Sequence, residues 1–530
     1  MLWHGRRPIN LSCRRSEHDG LAAWRRDVAV QNMPHEHGAC AWPTGMARPE
    51  NMSREDVADV AWHERDSVRF LGRALEDEFN DIARSLGGDV SSREAGDDYL
   101  LTTNALYHGG PVSWALTPKI FDENQLDILK DAAETMGRIM DKVTRHFMRD
   151  ESFRKLFRLP PALEELCRTP TGYKTPIPIA RVDLFFDEET GDYTFCELNT
   201  DGSAGMTTTV EVTRTVQRTE TYRQLLRKHP ELTARTLDPT GAVIDAILAT
   251  YDEWVRERTA DVGSTGFDRP VVAIVDYSES ASFDELKDIT KQLADRDVHA
   301  RYCDIRDLRL GRMAGRDTLL TPDGPVNCVY RRAVTSEIAD KPCVGTRALA
   351  RAGRLNLACV VGGLSTWPCA TKTVFAVLHS QAMRSILGDD ERAFIERHVP
   401  QTELLDTTSD LRPYQDKDGW IVKPAGGFNG AGVIAGLDCT KDEWEEALAR
   451  CAAEGGVVQA YASQYRTPML RGGRLEAGED PLLAEPMSNM EGLYLFRGSF
   501  SGVFTRCGRQ AVIGEHTHRL NVSCLVVGKR

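Results

Sequence analysis

The sequence predicts a mixed α/β protein, on three observations. Apolar residues recur at helical spacing through most of the first part of the chain. The period changes to two between Pro178 and Asn199, and from Pro270 onward short buried-strand runs alternate with helical segments. Such alternation is typical of an α/β layer.

Composition excludes several classes of protein. The 530 residues carry 66 Lys and Arg against 79 Asp and Glu, and the net charge of −13 argues against nucleic-acid and anionic-membrane partners. The length predicts about two to four domains, and 41% apolar residues exclude a disordered or fibrous chain. Thirteen cysteines without a CxxC pair indicate reduced thiols and a cytoplasmic protein. The charged first residues and the lack of a long apolar run predict neither a signal peptide nor a membrane span.

The first part of the chain reads as an extension followed by helices. Residues 1–51 show no sustained period and are expected to be a loose extension, with Met46 or Met52 as an alternative start. A capping signal at Ser53 opens a long amphipathic helix that ends at Gly87-Gly88. Further elements are expected in this order: a helix over about 123–149, a helix over about 207–226, a strand at 270–276, a helix at 283–293, strands at 298–303, 325–330, 420–424 and 432–436, a helix over about 441–453, and a strand at 457–461.

Between Pro178 and Asn199 the chain predicts a β-hairpin with one polar face. With the turn centred near Thr190, Asp183 lies opposite Glu197 and Arg181 opposite Asn199. Facing carboxylates repel unless a cation lies between them, and Asp, Glu and Asn oxygens suit Mg²⁺ when phosphates complete its shell. We therefore take Asp183, Glu197 and Asn199 as metal ligands and Arg181 as a contact to a phosphoryl oxygen. The alternative is a solvated hairpin face with cross-strand ion pairs.

A glycine-rich segment beginning at Trp420 predicts a phosphate-binding flap. Glycines let the backbone approach an anion closely, and Lys423 at the end of the preceding strand supplies a point charge. Because strand-like residues follow, the segment is neither a Walker A loop nor a Rossmann fingerprint. A glycine-rich surface hairpin is the alternative. The candidate nucleotide-binding residues of the segment are Lys423, Gly426, Gly427, Asn429, Gly430 and Gly432.

The strand at 457–461 offers backbone amides and an apolar wall for an adenine ring. Gln459 and Tyr461 are its candidate nucleotide contacts, although such a segment is more often only a strand.

These motifs and their order resemble the ATP-grasp carboxylate-amine ligases, in particular the circularly permuted branch that includes the synthetase domain of glutathionylspermidine synthase. An R-x-D strand and an E-x-N strand come first, as at Arg181/Asp183 and Glu197/Asn199. The resemblance makes Lys372 of Ala370–Leu378 a nucleotide lysine, which would otherwise be read as a surface helix lysine. It also makes Arg506 an arginine that faces an acyl-phosphate. The C-terminal residues from Val522 lack the terminal motif of glutathionylspermidine synthase itself.

The resemblance implies an ATP-grasp fold, circularly permuted, with an inserted pre-ATP-grasp-like α/β domain and a helical N-terminal part. Its parts would be the extension at 1–51, helices and the metal-binding hairpin at 52–260, the α/β domain at 261–365, and the nucleotide-binding part at 366–530. The implied cofactors are ATP and Mg²⁺. The implied reaction joins a small-molecule or peptide carboxylate to an amine, and a carrier protein is a further candidate partner.

Two other activities and two other motifs stay open at the level of sequence. A phosphotransferase using the same nucleotide site, or a nucleotide-binding module without turnover, is the alternative to a ligase. Arg331 and Arg332 follow a strand and suit a substrate carboxylate, although strand-end arginines are more often solvated. His516 and His518 have the spacing of metal ligands on a strand, but no third ligand is visible.

Overall fold

A computed structural model describes residues 71–107, 109–262, 269–313, 315–425 and 430–529. The expected extension at 1–51 and the helix start at Ser53 lie outside the described residues. The mixed α/β class is confirmed, since helices and several sheets run through the described part of the chain.

The helices of the described residues are α1 (Leu71–Ser85), α2 (Val90–Leu100), α3 (Glu123–Arg149), α4 (Glu151–Arg154), α5 (Pro161–Cys167), α6 (Met206–Gln217), α7 (Glu220–Lys228), α8 (Pro239–Val262), α9 (Phe283–Ala294), α10 (Thr335–Asp340), α11 (Val344–Arg354), α12 (Trp367–Ala370), α13 (Thr373–Leu378), α14 (Gln381–Arg384), α15 (Asp389–His398) and α16 (Lys441–Glu454).

The strands are β1 (Leu106–Tyr107), β2 (Gly110–Pro111), β3 (Lys119–Asp122), β4 (Ile179–Phe186), β5 (Tyr193–Asn199), β6 (Leu232–Arg235), β7 (Val271–Asp276), β8 (His299–Asp304), β9 (Arg309–Met313), β10 (Arg316–Thr321), β11 (Gly324–Val326), β12 (Cys328–Arg331), β13 (Cys359–Val361), β14 (Thr402–Leu404), β15 (Trp420–Lys423), β16 (Ile434–Ala435), β17 (Val457–Ala460), β18 (Arg466–Leu470), β19 (Ala484–Phe496), β20 (Ser499–Gly508), β21 (Leu520–Val522) and β22 (Cys524–Lys529).

The largest sheet has six strands and contains the predicted hairpin. Its order is β21-β20-β19-β4-β5, and β18 pairs with β19 outside this path. The predicted pairs are confirmed, with Arg181 opposite Asn199 and Asp183 opposite Glu197, but a bulge after Asp183 shifts the register by one residue toward the turn, where Leu184 lies opposite Phe195. Val182 belongs to the core cluster into which α3 packs, so the polar residues take the other face. The helix α3 begins with a capping box in which Asp122 and Gln125 bond reciprocally.

The predicted α/β layer is a four-stranded parallel sheet of order β13-β12-β7-β8. Alternate residues of β7 enter two different core clusters, with Val272 and Ile274 on one face and Ala273 and Val275 on the other. Both faces are therefore buried, as expected for a parallel sheet covered by helices.

A second four-stranded sheet, of order β14-β17-β15-β16, carries the residues around the glycine-rich segment. Its pairs are antiparallel, and α16 packs on it through Trp444, which is fully buried.

Three details differ from the sequence-based expectations. The helix over 207–226 is two helices, because Thr219 caps a new one by accepting from the Tyr222 amide. The strand over 325–330 is interrupted at Asn327, whose side chain accepts from the Val271 amide at 2.7 Å. His516 lies in a short 3₁₀ turn rather than on a strand.

Within the described ranges, the helices do not reach the combination of length and apolar composition that a membrane span requires.

One lysine is buried among several carboxylates beneath the large sheet. Lys119 Nζ lies 3.1 Å from Glu76 Oε2 and also pairs with Glu188. Glu491 is fully buried nearby, and burial followed by the Glu188 charge raises the pKa of its carboxyl to about 8. Burial likewise raises the pKa of Glu76. A carboxyl pKa raised on folding stabilises the protein below that pKa, and this stabilisation is lost as the pH rises through it.

We expect Lys119→Ala to lower the free energy of unfolding by about 3–5 kcal/mol, because the substitution leaves buried carboxylates without their cation. The loss should grow between pH 6 and pH 9, since protonated carboxyls need no cation. Urea unfolding followed by circular dichroism at both pH values measures it. Lys142→Ala removes the partly exposed pair with Glu391 and should cost less than about 1 kcal/mol. A loss that does not depend on pH would contradict this account.

Candidate active site

A cavity of about 270 Å³ lies where the six-stranded sheet, the β14-β17-β15-β16 sheet and the parallel sheet meet. Most of the predicted site residues are brought together here. Those that line the cavity are Arg181, Glu197, Asn199, Lys372, Lys423, Gly430, Gln459, Tyr461 and Arg506.

Asp183 lies beneath this cavity and forms ion pairs with two arginines. Arg181 donates to both of its oxygens, from Nε to Oδ1 at 2.7 Å and from Nη2 to Oδ2 at 2.9 Å. Arg506 Nη2 donates to Oδ2 at 2.6 Å, and the Asn199 amide does so at 3.2 Å. Burial opposes ionisation, but the two guanidiniums outweigh it and hold the pKa of Asp183 at about 2. Both oxygens are therefore occupied, and a metal-ligand role for Asp183 stays a prediction.

The ion pair between Asp183 and Arg506 crosses a glycine. Asp183 is on β4 and Arg506 on β20, and β19 runs between these strands with Gly492 opposite Asp183. A Cβ at Gly492 would lie 2.8 Å from Arg181 Cδ and 2.9 Å from Asp183 Oδ1. The missing side chain gives the two arginines room to meet one carboxylate.

Lys372 and Glu197 form an ion pair at the cavity wall. Lys372 precedes the first residue of α13, and its backbone amide donates to Ala425 O at 3.1 Å. The helix is thereby attached to the segment that follows β15. Burial acts to raise the pKa of Glu197, but the Lys372 ammonium outweighs it, so the pKa lies below the ordinary value.

Lys423 has neutral hydrogen-bond partners. Its Nζ donates to Gln459 Oε1 at 2.6 Å and to Cys196 O at 2.9 Å, and Gln459 is fixed in turn by Thr402 Oγ1 at 2.8 Å. Burial lowers the pKa of Lys423 to about 8, and the Lys372 ammonium acts in the same direction. An anion in the cavity would reverse this shift.

The glycine-rich segment is described only at its ends. Gly430 lines the cavity in a left-handed conformation, whereas Gly432 is exposed. A Cβ at Gly430 would come within 3.4 Å of Val512 and His516, so this end lies against the segment that follows β20. Gly426, Gly427 and Asn429 lie outside the described residues.

Apolar side chains line the part of the cavity near Lys423. They come from the hairpin, from the β15 sheet, from β19 and from the segment after β20, and include Phe185, Ile421, Val433, Met490 and Ile513. Such a wall suits a planar aromatic group. Tyr461 lies beside it, and its backbone amide donates to Gly419 O at 2.8 Å.

The carboxyl edge of the parallel sheet supplies further polar groups. Asp276 at the end of β7, Arg332 after β12 and Glu337 in α10 all line the cavity. Arg331 does not, because it is buried on the Gly362 and Gly363 carbonyls and on Asp201. Of the two arginines that suit a substrate carboxylate, Arg332 therefore lines the cavity and Arg331 does not.

Other cavity residues were not found from the sequence. Arg519 lies with Arg181 and Arg506 around the Phe504 ring, with guanidinium carbons 5.6, 5.4 and 4.9 Å from the ring centroid. It carries no motif that would have shown its position. Asp276 did carry a signal, because a polar residue ending a buried parallel strand lies at the edge where ligands bind.

A metal ion would find oxygen donors here in Glu197 and Asn199, which both face the cavity. His516 and His518 are exposed. Among the described residues, no three His, Cys, Asp or Glu side chains are grouped as a metal site.

Neither a protein-family model nor a curated protein matches the chain in sequence. Among solved structures, the chain is similar to a glutathione synthetase-like effector from Globodera pallida in its apo form. The TM-score is 0.52 at 13% identity, over 82% of this chain and 96% of that chain.

Two further similarities are more distant. A putative γ-glutamylcysteine synthetase from Methylobacillus flagellatus gives a TM-score of 0.34 at 10% identity, over 74% of this chain and 88% of that one. The ATP-grasp ligase PsnB, complexed with a minimal precursor, Mg and ADP, gives 0.21 at 11% identity, over 48% and 88%. The first similarity shows that this chain shares its fold with that effector.

We expect Gly492→Ala to lower the free energy of unfolding by about 1–3 kcal/mol, because the added methyl group forces apart a buried, fully bonded ion pair. Gly137→Ala, in the middle of α3, is the matched control. Its Cβ would meet Leu495 of β19 at an ordinary contact distance of 3.4 Å. That change should be neutral or stabilising by up to about 1 kcal/mol. Thermal unfolding of both variants measures the difference, and equal transition temperatures would be evidence against the crowding at Gly492.

Proposed function

We propose that this protein is an ATP- and Mg²⁺-dependent ligase that joins a carboxylate to an amine through an acyl-phosphate. One observation carries the proposal: four separate parts of the chain bring two lysines, two arginines and a carboxylate to one cavity, namely Lys372, Lys423, Arg181, Arg506 and Glu197. We further propose the circularly permuted order of an ATP-grasp ligase, which the position of the hairpin before both lysines supports.

In this proposal, ATP lies between the six-stranded sheet and the β14-β17-β15-β16 sheet. The adenine ring packs against the apolar wall, and Lys372 and Lys423 contact the phosphates. Lys423 has no carboxylate partner of its own among the described residues, so a phosphate gives its ammonium an ionic partner. The proposed role of the glycine-rich segment 426–432 is to cover the phosphates and to exclude water from them.

Glu197 and Asn199 suit a magnesium ion that completes its shell with phosphate oxygens. Bound Mg²⁺ would neutralise charge on the phosphates during transfer. Glu197 pairs with Lys372 in the described structure, so that pair must open for Glu197 to act as a ligand.

The reaction has two steps. A substrate carboxylate oxygen attacks the γ-phosphorus of ATP, and ADP leaves, which gives an acyl-phosphate. The amine then attacks the carbonyl carbon, phosphate leaves, and the nitrogen loses a proton to give the amide. Arg181 and Arg506, fixed by Asp183, are placed to stabilise the transferring phosphoryl group.

We expect the purified protein to form hydroxamate and ADP from hydroxylamine, Mg²⁺, ATP and pooled carboxylates that include amino acids and short peptides. Glu197→Gln should lower this turnover by about two orders of magnitude or more, because the metal ligand is lost while the side-chain shape is kept. Glu189→Gln in the turn of the same hairpin is the control. The fold of each variant is checked by circular dichroism.

The same assay distinguishes the other activities. A phosphotransferase would form ADP without an amine and release no phosphate, whereas a binding module would bind ATP without turnover. Near-normal ADP formation by Glu197→Gln would contradict the metal assignment.

We expect ATP binding to take up protons near pH 8. Free Lys423 has a pKa of about 8, and phosphate contact raises it, so about half a proton is taken up at pH 8. Affinity should fall as the pH rises further, by up to about tenfold per pH unit. Isothermal titration calorimetry in buffers of different ionisation enthalpy measures the uptake.

Lys423→Arg should bind ATP without this uptake, because arginine stays charged. Lys417→Arg, at a half-buried lysine just before β15 that lies outside the cavity lining, should behave as the wild type does. Uptake that persists in Lys423→Arg would assign the titration to another group.

A further inference from the structure

Acidic groups at one end of the cavity have no part in the proposed phosphoryl transfer. Asp276 and Glu337 lie at the carboxyl edge of the parallel sheet. In the order β13-β12-β7-β8, the chain runs from β7 to one side and later returns to β12 on the other. The crevice between the ends of β7 and β12 is therefore a topological switch point, where open α/β sheets bind their ligands.

The cations at this edge already have carboxylate partners. Arg331 pairs with Asp201, and Arg332 Nη1 lies 3.0 Å from Glu285 Oε1. Lys341 Nζ lies 2.8 Å from Glu337 Oε1, an oxygen that also accepts from Ser280. Each of these cations therefore has a carboxylate partner other than Asp276, although the Arg332 charge also acts on Asp276 and lowers its pKa.

Asp276 and Glu337 keep acceptor capacity. The hydrogen bond described for the Asp276 carboxylate comes from the Tyr277 amide at 2.9 Å, although the residue is only 6% exposed. Glu337 is 9% exposed, and its Oε2 has no hydrogen-bond partner among the described residues. Burial raises the pKa of Asp276 to about 6 against the opposing charge of Arg332, and Glu337 adds to the rise, so a further cation here would favour the ionised form of Asp276.

We propose that this end of the cavity binds an ammonium group of the substrate, held between Asp276 and Glu337. The inference rests on the proposed function, because it assigns the substrate end of the same cavity. An ammonium has three donors and a full charge, which match an ionised carboxylate and a free carboxylate oxygen. The group can come from an amino acid or peptide, or from a linear polyamine.

The experiment measures binding to the full chain without ATP. Four probes are titrated by calorimetry: a pool of amino acids and short peptides, a pool of linear di- and polyamines, and the N-acetylated form of each pool. We expect one free-amine pool to bind and its acetylated form to bind at least about tenfold more weakly, as expected for loss of a charged hydrogen bond. Whichever pool binds identifies the source of the ammonium.

Asp276→Asn and Glu337→Gln should each weaken binding of that pool by about tenfold. Asn at position 276 keeps an acceptor for the Tyr277 amide, and Glu337→Gln provides a second variant should the first fail to fold. Asp295→Asn, an exposed carboxylate after α9 in the same layer, should leave binding unchanged. Binding by neither free-amine pool, equal binding of free and acetylated pools, or unchanged binding in both variants would overturn the inference.

The hydroxamate assay separates this inference from the ligase proposal. Hydroxamate formation by the wild type, without binding of either free-amine pool, would leave the ligase and remove the ammonium site. Amine binding that depends on Asp276, without ADP formation from any carboxylate, would leave the ammonium site and remove the ligase.

Discussion

The two ion pairs of Asp183 determine where Arg181 and Arg506 lie in the cavity. A carboxylate that is fully buried costs several kcal/mol to desolvate unless it is paired with good geometry. Asp183 meets this condition with three guanidinium hydrogen bonds and one amide hydrogen bond. The pairs fix Arg181 and Arg506 although these lie on strands separated by β19, and only a glycine on β19 leaves space for the connection. The arginines are thus positioned before any ligand arrives.

The two lysines of the cavity differ electrostatically, and the difference follows from their partners. Lys372 forms an ion pair with the Glu197 carboxylate. Lys423 faces an amide oxygen and a carbonyl oxygen in a buried position, which makes its charge costly. An anionic ligand would therefore gain most from Lys423, while Lys372 must first exchange one partner for another. Lys423 can therefore pair with an anionic ligand directly. Lys372 can do so once another cation, such as a metal ion that the ligand brings, takes its place at Glu197.

Much of this arrangement could be predicted from local sequence. Strand alternation and a turn centred near Thr190 predicted the pair of Asp183 with Glu197, which the structure contains. They did not predict the bulge after Asp183, which shifts the pairing nearer the turn by one residue. The prediction that Lys423 ends a strand is also confirmed, since β15 ends at this residue. Local patterns failed where a single side chain interrupts an element, as at Thr219 and Asn327, since both compete with the backbone for hydrogen bonds.

The remaining part of the site depends on contacts that no local pattern encodes. Lys372 needed a family resemblance, because a lysine before a short helix looks like any surface lysine until the tertiary fold turns it toward Glu197. Arg519 and Glu337 reach the cavity only because three sheets meet there. The parallel sheet brings its carboxyl edge to the cavity, and that edge adds an acidic end to a cavity whose other end is cationic. A substrate spanning both ends would be oriented by charge alone, with its anionic reacting group toward Arg181 and Arg506 and its cationic group toward Asp276.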